Sequence, residues 1–120
     1  MAEIYHMIPT GTWQRVRGQL AFEPGSLADE GFIHCTVGER NMLSVAERFY
    51  RDEPGDWLVL VLDPARITNE VRWEVQPDGL AYPHIYGPMN LDAVTEVCRF
   101  PRANDGSFLP FRDNAGPPLG

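Results

Sequence analysis

Six consecutive residues, Trp57-Leu58-Val59-Leu60-Val61-Leu62, are apolar without a break. A strand turns alternate residues to opposite faces, so a run with no polar position has to be covered on both. It reads as a central strand, and the rest of the chain must supply layers on either side of it. Asp63-Pro64 stops the run and opens one helical turn, because proline fixes φ and fits a first helical position.

Ile4 to Ile8 reads as a first strand, with Ile4, His6 and Ile8 on one face and Tyr5 and Met7 on the other. A short helix is expected over Thr12 to Arg17, stopped by Gly18. Ala21 to Glu30 holds Pro24-Gly25-Ser26 and acidic residues, the pattern of a loop over a cleft. Gly31 then ends a turn before a short strand, Phe32 to Cys35. Thr36-Val37-Gly38-Glu39 has the form of a capping box, opening a helix from Val37 to Tyr50. Met42, Val45, Ala46 and Phe49 form its apolar stripe, with Glu39, Glu47, Arg48 and Arg51 toward water.

Val71, Trp73 and Val75 alternate with Arg72 and Glu74, and Gln76-Pro77-Asp78-Gly79 is a turn. In Tyr82-Pro83-His84-Ile85-Tyr86-Gly87-Pro88 an extended backbone puts Tyr82, His84 and Tyr86 on one face. The two prolines remove backbone donors and argue for an edge or loop. Asn90 to Asp92 reads as a turn and Val94 to Phe100 as a strand. This order predicts an α+β domain over residues 1–100, with mixed or antiparallel sheets and two main helices in its N-terminal half. Residues 101–120 are expected to be a loose tail, anchored only by Phe108 and Phe111.

A formal net charge of −7 excludes a general nucleic-acid or anionic-membrane surface, though not a local anion site. No apolar run approaches the roughly 20 residues that span a bilayer. The N-terminus lacks the basic and apolar regions of a signal peptide. Cys35 and Cys98 are too few for a disulfide framework and read as free thiols, so a cytoplasmic location is expected.

Each of the three histidines, His6, His34 and His84, lies near a turn beside an aromatic residue: Tyr5, Phe32, and Tyr82 with Tyr86. Imidazoles both donate and accept hydrogen bonds, and aromatic faces stack heterocycles, which suits a nucleotide-like ligand. His34 ends its strand just before a helix N-terminus, where anionic groups such as phosphate are favoured. The bland alternative is a half-buried histidine bonded to a neighbouring carbonyl. No local pair of metal ligands is present, so zinc would need the distant histidines and Glu74 to converge. Cys35 adjoins His34, but neighbours on a strand face opposite ways, and a core thiol packed with Ile33 is the simpler reading. Glu74, beside Arg72, is the best placed carboxylate.

Tyr5-His6, the block Gly31-Phe32-Ile33-His34-Cys35-Thr36, Trp73-Glu74 and Pro83-His84-Ile85-Tyr86-Gly87-Pro88 resemble the bacterial domain-of-unknown-function family 952, over residues 3 to 100. That resemblance implies an ADP-ribosylation-like fold. Its opening also looks like those of tRNA 2′-phosphotransferases and poly-ADP-ribose polymerases. By that likeness His6, with Tyr5, would hold a ribose hydroxyl of NAD. His34, Phe32 and Thr36 would line the nicotinamide pocket, and His84 and Tyr86 would fall near a third motif. Glu74 or His84 would stabilise developing charge or act as base. The chain departs from those enzymes where Met7-Ile8 follows His6 in place of Gly-Thr, and no glutamate matches their third motif. Three readings stay open: an NAD-dependent ADP-ribosyl-transfer type enzyme, a non-catalytic small-molecule or nucleotide binding module, and a structural protein without a ligand site.

Overall fold

The computed structural model describes residues 3–112. Strand β4 (Trp57–Leu62) is central, with β1 (Ile4–Pro9) and β8 (Val94–Phe100) antiparallel on its two sides. Its alternation divides the interior in two. Leu58, Leu60 and Leu62 join Ile4, Ile8, Ile33, Ile85 and Val97 on one side of the sheet. Val59 and Val61 join Tyr5, Met7, Met42, Ala46 and Phe100 on the other. Each such fully buried aliphatic side chain stabilises the fold by about 1.5–3 kcal/mol, so the unbroken run sets the layering.

The first side is covered by a second antiparallel sheet of β3 (Ile33–His34), β6 (Ala81–Tyr86) and β5 (Glu70–Val75), with β6 in the middle. Two short strands, β2 (Ala21–Phe22) and β7 (Met89–Asn90), pair beside it. The helices are α1 (Thr10–Val16), α2 (Gly25–Glu30) and α3 (Glu39–Phe49), and α3 covers the other side of the first sheet with Met42 and Ala46. The class is α+β with antiparallel sheets and three helices rather than two. The turn after β4 forms as expected at Pro64–Arg66, with the Asp63 carboxylate accepting from the Ala65 amide at 2.9 Å.

Five local expectations change. The 21–30 segment is β2 followed by α2, not a loop. The strand carrying Pro83 is central in its sheet. Pro83 lies just past the two-residue ladder to β3, where its carbonyl accepts from the Cys35 amide; its nitrogen faces β3 and not β5, so the missing N–H costs the β5 ladder nothing and forfeits only the reciprocal bond to the Cys35 carbonyl. No capping box forms: α3 begins at Glu39 after Gly38, whose φ of 87° suits glycine, and the Glu39 carboxylate accepts from the Arg112 amide instead. Phe49 is exposed, because the last turn of α3 runs past the sheet. Residues 101–112 fold back onto the domain, burying Phe108 and Phe111 in the second core and tying Arg102 to the carbonyls of Arg51, Glu53, Gly55 and Gly106. Residues 113–120 of the expected tail lie outside the described residues.

Candidate functional site

The two sheets meet where β1 touches the end of β3. Tyr5 and Thr36 exchange backbone hydrogen bonds at 2.7 and 2.8 Å, fixing the height of His6 against His34. The His6 Nδ1–H donates to the His34 carbonyl at 2.7 Å. Burial pulls the His6 pKa below the usual imidazole range, the His34 carbonyl only partly offsetting it. The ring is therefore neutral, and its Nε2 is left as an acceptor.

His34 projects from the opposite face of β3 to Ile33 and Cys35, as strand alternation requires, and its side chain is about half exposed. Its Nε2–H donates to the Glu30 carboxylate. Gly31, at φ 86°, ends α2 in the left-handed region and turns the chain so that Glu30 and His34 meet.

His84 pairs with His34 across the β3–β6 ladder, and the two ring centres are 5.2 Å apart. It is 1% exposed, and its Nδ1–H donates to the Glu74 carboxylate at 2.8 Å. Phe32 lies nearly parallel on the His84 ring at 4.2 Å, and its edge also meets His34 and Tyr86. The Tyr86 hydroxyl donates to the same Glu74 oxygen. These two bonds hold the Glu74 carboxyl below its usual pKa, Tyr86 contributing more than His84, and the bond to Glu74 raises that of Tyr86. The Arg72 guanidinium covers the outer face of the Tyr86 ring at 4.2 Å.

Two clefts of about 450 Å³ each adjoin at His34, Thr36, Val45 and Tyr50. The first is floored by His34, His84 and Cys35, and walled by Glu30, Arg48, Phe49, Asp78 and Tyr82. The second follows β1 from Tyr5 to Pro9, with His6, Phe22, Pro24 and Trp57 around it. One end of the first cleft is latched. The Tyr82 hydroxyl donates to Asp78 at 2.5 Å and Arg48 to Asp78 at 3.1 Å, joining α3 to the β5–β6 turn.

Seven of the eight residues singled out by sequence thus fall into two groups, with Tyr5 apart from both. His6, His34, Thr36 and His84 line the groove formed by both clefts. Phe32, Glu74 and Tyr86 stand behind His84 and orient it, without lining either cleft. This differs from the direct contact expected of them, because Tyr82, His84 and Tyr86 share a face whose outer end lies beyond the groove. Tyr5 borders the second cleft, but its ring turns back onto Phe111, edge-on at 5.1 Å, so its service is the backbone pairing with Thr36. Glu30, Arg48 and Asp78 were missed, and Tyr82, noted only as an aromatic neighbour of His84, also anchors Asp78 through its hydroxyl. The one signal for Glu30 was its place four residues before His34.

Cys35 is 2% exposed and burial pushes its thiol well above the ordinary range, which disfavours the thiolate that a nucleophile needs. Among the described residues no group of three or more His, Cys, Asp and Glu side chains is placed to hold a metal ion, and no helix is long and apolar enough to cross a membrane.

The family model described as protein of unknown function (DUF952) matches residues 7–97. The chain belongs to the DUF952 family. The crystal structure of protein CC0527 from Caulobacter crescentus has the same fold at a TM-score of 0.77 and 22% identity, covering 89% of this chain and 93% of that one. A double-mutant crystal form of CC0527 superposes equally well, and its solution structure gives a TM-score of 0.72 at 23% identity, covering 88% and 90% of the two chains. No curated protein matches this DUF952 chain.

Proposed function

We propose that the groove shared by the two clefts binds a nucleotide-type ligand, with NAD the first to test. One observation carries this reading. Each of the three histidines spends one ring nitrogen as a donor to a protein oxygen: the His34 carbonyl for His6, Glu30 for His34 and Glu74 for His84. A neutral imidazole keeps its second nitrogen as an acceptor, and the second nitrogens of all three have no protein partner among the described residues. A row of acceptors beside the Tyr50, Tyr82 and Phe49 rings suits a ligand rich in hydroxyl and amino donors that also carries a flat heterocycle. Ribose and a carboxamide or aminopurine supply both, and Arg48 is the cation in reach of a phosphate.

A second reading, ADP-ribosyl transfer, is favoured by one feature. The Glu30 carboxylate borders the first cleft beside His34, in position to stabilise positive charge on a ribose. On this reading His84, oriented by Glu74, is the base that takes the acceptor's proton. Glu74 itself is then a positioning residue.

Saturation-transfer NMR with NAD, ADP-ribose and nicotinamide tests binding on the wild type and on His34→Ala. Transfer to NAD in the wild type and its loss in the variant support the reading. No transfer to any of the three ligands in the wild type overturns it. Release of nicotinamide by the wild type but not by Glu30→Gln distinguishes the enzyme from the binding module.

A further inference from the structure

Strand β5 is the outer strand of its sheet, and its far side carries no partner strand among the described residues. The pairing pattern shows which backbone groups are left over. The Gln76 amide donates to the Leu80 carbonyl, and Gln76 continues the register in which Glu74 faces Tyr82 and Arg72 faces His84. In an antiparallel ladder, alternate residues bond to one neighbour and the rest turn both backbone groups the other way. Glu70, Arg72 and Glu74 therefore bond to β6, while Val71, Trp73 and Val75 present N–H and C=O at the open edge. Their side chains share the face opposite His84. Trp73 is 54% exposed and Val75 72% exposed.

An exposed edge carrying apolar side chains is the kind of strand that pairs with another. The absence of a lysine or proline over Glu70–Val75 leaves that pairing unopposed. We propose that a second copy of this chain docks here, β5 against β5 in antiparallel sense about a two-fold axis at Trp73, making one continuous sheet across the dimer.

The charges select this partner and this register. With Trp73 opposite Trp73 of the second copy, Val71 faces Val75, and these are the residues whose backbone groups point outward. Arg72 then faces Glu74 of the second copy on the other side of the sheet, twice by symmetry, in the close, non-hydrogen-bonded pair where side-chain attraction is strongest. A slip of two residues, the nearest register that keeps the same backbone groups facing, sets Arg72 against Arg72 and Glu70 against Glu74, which is repulsive. The favoured register also brings Arg72 of the second copy to the carboxylate that orients His84. The contact spans one strand, so the dimer is weak and dependent on concentration.

Sedimentation velocity of the full chain across a wide concentration range, up to millimolar, tests this. The wild type shifts from monomer to dimer. Val75→Lys places a charge on the apolar face. Val75→Pro removes only an N–H that points away from β6, leaving the intramolecular ladder whole. Both variants weaken the dimer by about 10-fold or more, from lost cross-strand contacts and a lost backbone bond. Circular dichroism confirms that each stays folded. A wild type that remains monomeric throughout, or a folded Val75→Pro that dimerises as well as wild type, overturns the proposal.

Discussion

Replacing Phe111 by alanine tests whether the segment after β8 belongs to the domain. Phe111 is fully buried, with its ring edge-on to Tyr5 at 5.1 Å and to Phe100 at 5.2 Å. Full burial of such a side chain contributes about 1.5–3 kcal/mol. Each aromatic pair adds about 0.5–1.5 kcal/mol, and the cavity left behind is lined by rings that cannot collapse far. The sum agrees with the roughly 3–5 kcal/mol typical of Phe→Ala in a core. For a domain of this size that lowers Tm by about 12–20 °C. The effect reaches the groove, since Tyr5 carries both the Phe111 contact and the backbone pairing with Thr36. Urea titration and thermal melts by circular dichroism measure the change. A loss below about 1 kcal/mol, the range of an exposed substitution, would refute the packing of residues 101–112 and restore a loose tail.

Three other outcomes follow from the same geometry. The pKa of His6 is lowered in the folded state, so between its folded and unfolded values the unfolded chain binds more protons and stability falls as pH drops below about 6.5; His6→Gln flattens that part of the pH–stability curve measured by urea titration, and an unchanged slope contradicts the assignment. Cys35 resists thiol reagents in the native protein and reacts once urea unfolds it, so rapid native labelling of Cys35, read by mass spectrometry, counts against its burial. Glu74→Gln removes the carboxylate that raises the Tyr86 pKa, so Tyr86 ionises at lower pH in a 295 nm titration, and an unmoved titration denies the Glu74–Tyr86 bond.

The layering was legible because it rests on burial patterns alone. The apolar run of β4 could only be central, and the alternation of Ile4, His6 and Ile8 with Tyr5 and Met7 matches the division between the two cores. What failed were inferences from a single residue's habit. Pro83 reads as an edge residue, but its nitrogen faces the last rung of the short β3 ladder, where a proline forfeits a single bond and leaves the β5 ladder whole. Thr36 and Glu39 read as a capping box until Gly38 turns the chain between them, after which Thr36 is buried against β1 and Glu39 caps nothing on its own helix. Phe49 obeys the helical period, but the period does not say where the sheet beneath the helix ends.

In the groove, strand parity placed Tyr82, His84 and Tyr86 on one face and separated His34 from Cys35. The meeting of His6 with His34 depends on the Tyr5–Thr36 bridge, a contact between distant segments that no local pattern encodes. Glu30 escaped notice because α2 is only six residues long and follows Pro24, where sequence reads a loop.

The central claim is that three histidines with fixed tautomers offer acceptor nitrogens to one ligand. Long-range ¹H–¹⁵N spectra of the imidazoles, recorded with and without NAD, test it directly. The account predicts Nδ1–H tautomers for His6 and His84 and an Nε2–H tautomer for His34, with the unprotonated nitrogens shifting as NAD is added. Reversed tautomers, or imidazole signals unmoved by NAD, ADP-ribose and nicotinamide alike, would contradict it.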